Sequence, residues 1–142
     1  MFVCPPMDVP ALIQVLAGDG AAWRLIETPE GACLYRVDDQ DDARLVKQWE
    51  GRKPDALLPT SEGVVAIGAH WFMHLSQDGD DGIRGRLPVP AERACEANGE
   101  LRVEGGGQSW ALTNHLWMGP LPEVCTPDLA QADAPPGPVG TR

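Results

Sequence analysis

Three histidines, His70, His74 and His115, are the residues of this sequence best suited to metal or proton chemistry. Imidazoles four positions apart share one face of a helix and can grip a single ion, and His70 and His74 have that spacing. On an extended strand the same pair stands about 13 Å apart, from four rises of roughly 3.3 Å, and cannot meet at one metal. The apolar run around them, residues 64–75, reads as a strand, so no metal site is expected. A histidine-lined pocket would need His115 to approach one of the others across strands.

Other motifs stop short of a site. Asp78-Gly79-Asp80-Asp81-Gly82 has the composition of a calcium loop. Counted from Asp78, however, Ile83 and Val89 occupy the places where such a loop needs Gly and a bidentate Glu. It reads as a surface turn. Gly105-Gly106-Gly107 offers free backbone donors but lacks the spacing, the following lysine and the helix of a phosphate loop. It reads as a hairpin connection. Ser109, Cys33 and Cys95 are available as nucleophiles, yet no sequence around them resembles a nucleophile elbow or a cysteine-protease signature. No catalytic residue and no cofactor is assigned.

Charge is more informative. Against 21 acidic residues stand 11 basic ones, for a net charge of −10. A field of that sign repels nucleic acid phosphates and anionic lipid heads, and it attracts basic proteins. The carboxylates concentrate in two runs: Asp38, Asp39, Asp41 and Asp42, then Asp78, Asp80 and Asp81. Five tryptophans supply large apolar surfaces. Trp117 shares the less apolar side of its segment with His115, so it is the one expected to be exposed as an interface anchor.

Four cysteines, Cys4, Cys33, Cys95 and Cys125, lie far apart with no CxxC pair. Two disulfides in any of three pairings are arithmetically open. The opening MFVCPPMDVP has neither the basic nor the apolar stretch of a secretion signal. Residues 63–75 are too few for a membrane helix. Reduced, mostly buried thiols and a cytoplasmic location are therefore expected.

The elements that must position these groups follow from pattern. An Asp8 cap, Pro10, a Leu12, Ile13, Leu16 stripe and a Gly18 stop predict a first short helix. Residues 21–27 and 32–37 alternate as strands about Thr28-Pro29-Glu30-Gly31, a four-residue turn. The acidic run at 38–42 suits the positive end of a helix dipole. It predicts a second helix over residues 40–50, with Leu45, Val46 and Trp49 on one face. Residues 52–62 read as a loop and 64–75 as one central strand. Residues 83–87, 101–104 and 108–117 read as further strands, and Pro90 opens a short helix through Ala97. From residue 119 the chain is Pro-rich and its end is expected to be disordered. No internal repeat of fixed period is found.

The sequence thus predicts a single α+β domain over residues 1–118, with a mostly antiparallel sheet of about five or six strands, two or three short helices, and a tail over 119–142. The expected function is binding of a basic protein partner, in the manner of an inhibitor or immunity-type protein. The acidic runs would steer the encounter and Trp117 would supply apolar burial. The rival reading is a small hydrolase or ligand-binding domain with a histidine-lined pocket.

Overall fold

In the computed structural model, which describes residues 3–5, 9–17 and 19–125, the chain runs as three successive four-stranded meanders. The first is formed by β1 (Ile13–Leu16), β2 (Ala22–Thr28), β3 (Gly31–Val37) and β4 (Ala43–Glu50). The second holds β5 (Ala56–Thr60), β6 (Gly63–Ile67), β7 (Trp71–Ser76) and β8 (Asp81–Arg86). The third holds β9 (Arg93–Ala97), β10 (Glu100–Gly105), β11 (Gln108–Thr113) and β12 (Leu116–Leu121). Every neighbouring pair is antiparallel, and within each sheet each strand pairs with the next in sequence. The domain is all-β, with no helix among the described residues, and the α+β expectation is corrected. Nor does any helix there have the length and apolarity to cross a membrane.

The three sheets stack through alternating side chains. From the first sheet Ile13, Val15, Trp23, Leu25, Leu34 and Trp49 meet Leu57, Val64, Ala66, Met73 and Leu75 of the second. The other side of the second sheet, Val65, Ile67 and Phe72, meets Ala94, Val103, Leu101, Leu112 and Trp117 of the third. A middle sheet covered on both faces must be apolar on both, which explains the unbroken burial of Gly63–Ile67. The leading strands converge, β1 against β5 and β5 against β9, as they do in consecutive blades of a propeller.

Each outer face is covered by a chain end. On the first sheet, Ile26, Cys33 and Tyr35 pack with Cys4 and Val9, and the Tyr35 hydroxyl donates to the Pro5 carbonyl at 2.5 Å. Cys4–Cys33 fixes that segment. On the third sheet, residues 122–125 cross the outer face and Cys95–Cys125 fixes them. All four cysteines are thus in disulfides, which corrects the expectation of reduced thiols. β12 runs to Leu121, past the start of the tail expected at 119. The disorder expected farther along falls outside the described residues.

The helix predictions fail for identifiable reasons. Ile13 and Val15 are buried while Gln14 and Leu16 point out, a strand alternation that Leu16 disguises by being apolar and 73% exposed. Its proposed cap Asp8 and stop Gly18 lie outside the described residues. In β4 the register slips: Leu34 faces Lys47 and Tyr35 faces Leu45, so Val46 is an extra residue. One inserted residue reverses the alternation, and Leu45, Val46 and Trp49 then imitate helical spacing. Residues 93–97 consist largely of good helix formers, but pairing with β10 overrides that weak preference.

Two long strand readings also divide. Residues 64–75 break at Gly68-Ala69-His70, where the Trp71 indole lies over Gly68 so closely that a Cβ would sit 2.1 Å from Nε1. Residues 108–117 break at Asn114-His115, both at positive φ. Conversely, the expected loop at 52–62 contains β5.

Candidate functional site

In an up-and-down meander the turns fall alternately at two ends. Contacts between sheets show that all three present the same end together. Ser61, in the β5–β6 turn, donates through its amide and its hydroxyl to Glu96 at the close of β9, at 3.2 and 3.3 Å. Arg44 on β4 donates to the Gln77 carbonyl in the β7–β8 turn at 2.7 Å. Thr60 and Ser61 share a small cleft with Ala17 and Asp19 of the β1–β2 turn. We call this the hairpin end. The opposite, crossover end carries the β4–β5 and β8–β9 connections, tied by Gly51 to the Glu30 carbonyl and by Leu87 to the His70 carbonyl.

The two ends differ in charge. At or beside the hairpin end stand Asp19, Asp38, Asp39, Asp41, Asp42, Glu62, Asp78, Asp80, Asp81, Glu96 and Glu100, against Arg36, Arg44, Lys47 and Arg84. At the crossover end Arg52, Lys53, Arg86 and Arg93 mix with Glu27, Glu30, Glu50, Asp55, Glu92 and the buried Glu104, so that end is also acidic, though less strongly. Both acidic runs fall at the hairpin end and they are neighbours. Gly79 presses on Val46 of β4, where a Cβ would come within 2.6 Å of Cγ1. That contact docks the β7–β8 turn beside the β3–β4 hairpin.

The acidic run at 38–42 is a hairpin turn rather than a helix start. Asp38 shapes it, because its Oδ1 accepts the Gln40 and Asp42 amides, each at 2.9 Å. Asp41 takes the left-handed conformation at φ 66°, which Asp tolerates through local hydrogen bonding. Ser76 organises the second turn in the same way, its Oγ accepting the Asp78 and Asp80 amides at 3.3 and 3.1 Å. Asp78 faces Arg44 at 3.6 Å, and Asp81 faces Lys47 at 3.2 Å and Arg84 at 3.7 Å. Such exposed pairs contribute about 0–1 kcal/mol each. Asp39, Asp41, Asp42 and Asp80 form no ion pair among the described residues. Asp19 is held below the ordinary carboxylate range by the Ala21 amide and then by Arg36.

Trp117 is half-buried. Its ring meets Phe72 edge-on at 5.3 Å and its Nε1 donates to the Arg86 carbonyl at 2.9 Å, so it serves the seam between the second and third sheets. Beside the hairpin end the two most exposed large apolar residues are Leu16, 73% exposed, and Leu116, 65% exposed, with Leu45 of β4 next to the same end at 42%. The sequence pattern marks neither Leu16 nor Leu116 as a surface anchor: it places Leu16 in a helix stripe, and nothing local singles out Leu116.

Of the histidines, His70 lies in the β6–β7 turn at the crossover end, away from the others. His74 points from β7 toward the third sheet, with Nε2 3.2 Å from Thr60 Oγ1. His115, in the β11–β12 turn, lines the same cleft of about 460 Å³ between the second and third sheets. Glu62, Glu96 and Glu100 share it. Among the described residues no three His, Cys, Asp or Glu side chains are placed to hold a metal ion. Ser109 is buried on the far face of the third sheet, where Arg102 Nε donates to it at 3.2 Å.

No family model, curated protein or solved structure matches this chain. Only the chemistry of the site bears on what the molecule does.

Proposed function

We propose that this protein is a binding module that presents its acidic hairpin end to a basic protein partner, as an inhibitor or immunity-type protein does when it covers a basic site. The observation that carries this reading is the convergence of both acidic runs, with Asp19, Glu62, Glu96 and Glu100, on one end of three stacked sheets. Short turns closed by Asp38 and Ser76 hold the two runs, which reduces the ordering cost of docking. Their summed field accelerates encounter with a positive surface and disfavours acidic competitors. Leu16 and Leu116 supply apolar area at the margin. Two disulfides suit an oxidising compartment, and we set the encounter there rather than in the cytoplasm.

The test uses wild type and the variant D39N/D41N/D42N/D80N, immobilised and exposed to extract of the native host at low and at moderate salt. These substitutions spare Asp38, which builds its turn, and Asn keeps the left-handed residue 41 comfortable. The expected partner is basic, is held by wild type at low salt and is released as salt screens the field. Its association rate falls about 10- to 100-fold with the variant while dissociation changes little. Equal retention by both proteins would defeat the proposal.

A further inference from the structure

We propose that the cleft between the second and third sheets receives a basic side chain of the partner, an arginine or lysine inserted between the sheets. This rests on the acidic-end reading and adds the chemical group that is recognised. The cleft has apolar walls, from Val65 and Phe72 on one side and Leu101 and Leu112 on the other, and it holds no lysine or arginine. Walls of that kind suit the aliphatic stem of a long basic side chain, whose charged head stays at a polar mouth.

The mouth is built for a cation. Glu96 is oriented by the Ser61 amide and hydroxyl, and Glu100 by the Thr113 hydroxyl at 2.7 Å. All three donors are neutral, and neither carboxylate forms an ion pair among the described residues. Their charge is therefore positioned but not neutralised. Direction is also set. Past Phe72 and Ile83 the groove runs along β8 toward Arg86 at the crossover end, whose charge repels a cation and leaves the hairpin end as its seat.

A comparison of two turns singles out His115. The β9–β10 hairpin turns on Asn98-Gly99 at φ 54° and 78°, and the β11–β12 hairpin on Asn114-His115 at φ 50° and 69°. Both central residues of such a turn need positive φ, which favours Asn-Gly. The second turn carries an imidazole where glycine is easier, and that imidazole lines the cleft. His115 thus stands where the backbone favours glycine, at the place where it can close on a guanidinium or ammonium group.

The experiment titrates the isotope-labelled full chain with N-acetyl-arginine amide, and in parallel with N-acetyl-citrulline amide, its neutral match, while amide shifts are followed. Shifts are expected at Thr60, Glu96, Leu101 and His115 with arginine, with at least about tenfold weaker binding of citrulline. Glu96→Gln weakens arginine binding by a similar factor. His115→Gly also weakens it, yet raises Tm by about 2–4 °C because the strained turn relaxes. Equal response to citrulline, or shifts spread over the Asp38–Asp42 turn instead of the cleft, would overturn the inference. If the partner is lost by D39N/D41N/D42N/D80N but kept undiminished by Glu96→Gln and His115→Gly, the cleft inference fails and the acidic-end reading survives. Loss of the partner in all three variants supports both.

Discussion

Reduction of the two disulfides is expected to lower the unfolding free energy by about 3.5 kcal/mol per bond, the loop-closure entropy of a chain of roughly 30 residues. Cys4–Cys33 and Cys95–Cys125 span separations of 29 and 30 residues, so neither dominates. A domain of this size has about 5–15 kcal/mol in all, and losing both bonds removes a large share. Urea unfolding with and without reductant, followed by tryptophan fluorescence, measures the shift. The Cys4→Ser/Cys33→Ser and Cys95→Ser/Cys125→Ser variants apportion it. Because each bond holds a chain end against an outer sheet face, protection should be lost first at Ile26 and Tyr35 in one variant and at Glu104 in the other. A midpoint unmoved by reductant would contradict the pairing.

Replacing Glu104 by Ala should cost about 2–4 kcal/mol, because the Val124 and Cys125 amides lose their acceptor and an unsatisfied donor costs about 1–3 kcal/mol. Glu104 is fully buried on the outward face of β10. It accepts the Val124 amide at 2.6 Å, the Cys125 amide at 3.0 Å and Arg93 Nε at 3.3 Å. Nearby, Arg102 donates to the Pro122 carbonyl at 3.2 Å, and Arg93 pairs also with Glu123. Burial opposes ionisation of this carboxyl. The Val124, Cys125, Ser109 and Arg93 donors outweigh it and hold the group below its ordinary range.

The pH dependence follows from that direction. A depressed folded value means the stabilisation is complete above the unfolded carboxyl value, near about 4.3, and is lost as pH falls through the folded one. The stability gap between wild type and Glu104→Gln should therefore be largest near neutrality and close on acidification. Equilibrium unfolding across that range measures it. A gap independent of pH would show that Glu104 acts by shape alone.

How much could be read beforehand varied with locality. The hairpin of β2 and β3 was legible because Trp23 and Leu25 alternate cleanly and Thr28-Pro29-Glu30-Gly31 marks the turn. β4 was not, because its bulge at Val46 replaced a two-residue period with an apparent helical one. β6 and β7 merged because a middle sheet erases the polar side that would otherwise announce a turn. The threefold build was hidden as well: the meanders begin at residues 13, 56 and 93, at unequal intervals. For the site, the two aspartate runs were visible in sequence, but their adjacency depends on Gly79 seating against Val46. Asp19, Glu62, Glu96 and Glu100 come singly, one turn at a time, and only the stacking gathers them. That His74 and His115 line one cleft depends on the packing of two sheets, which no local pattern reports.

The hairpin end has a further consequence for how such a surface changes over generations. Most of its carboxylates ride on separate short connections, while the strands beneath form the packed interior and the walls of the cleft. A residue gained, lost or exchanged in one connection alters a single patch of the contact area and leaves the interior untouched. The scaffold can therefore exchange one finger without disturbing the others.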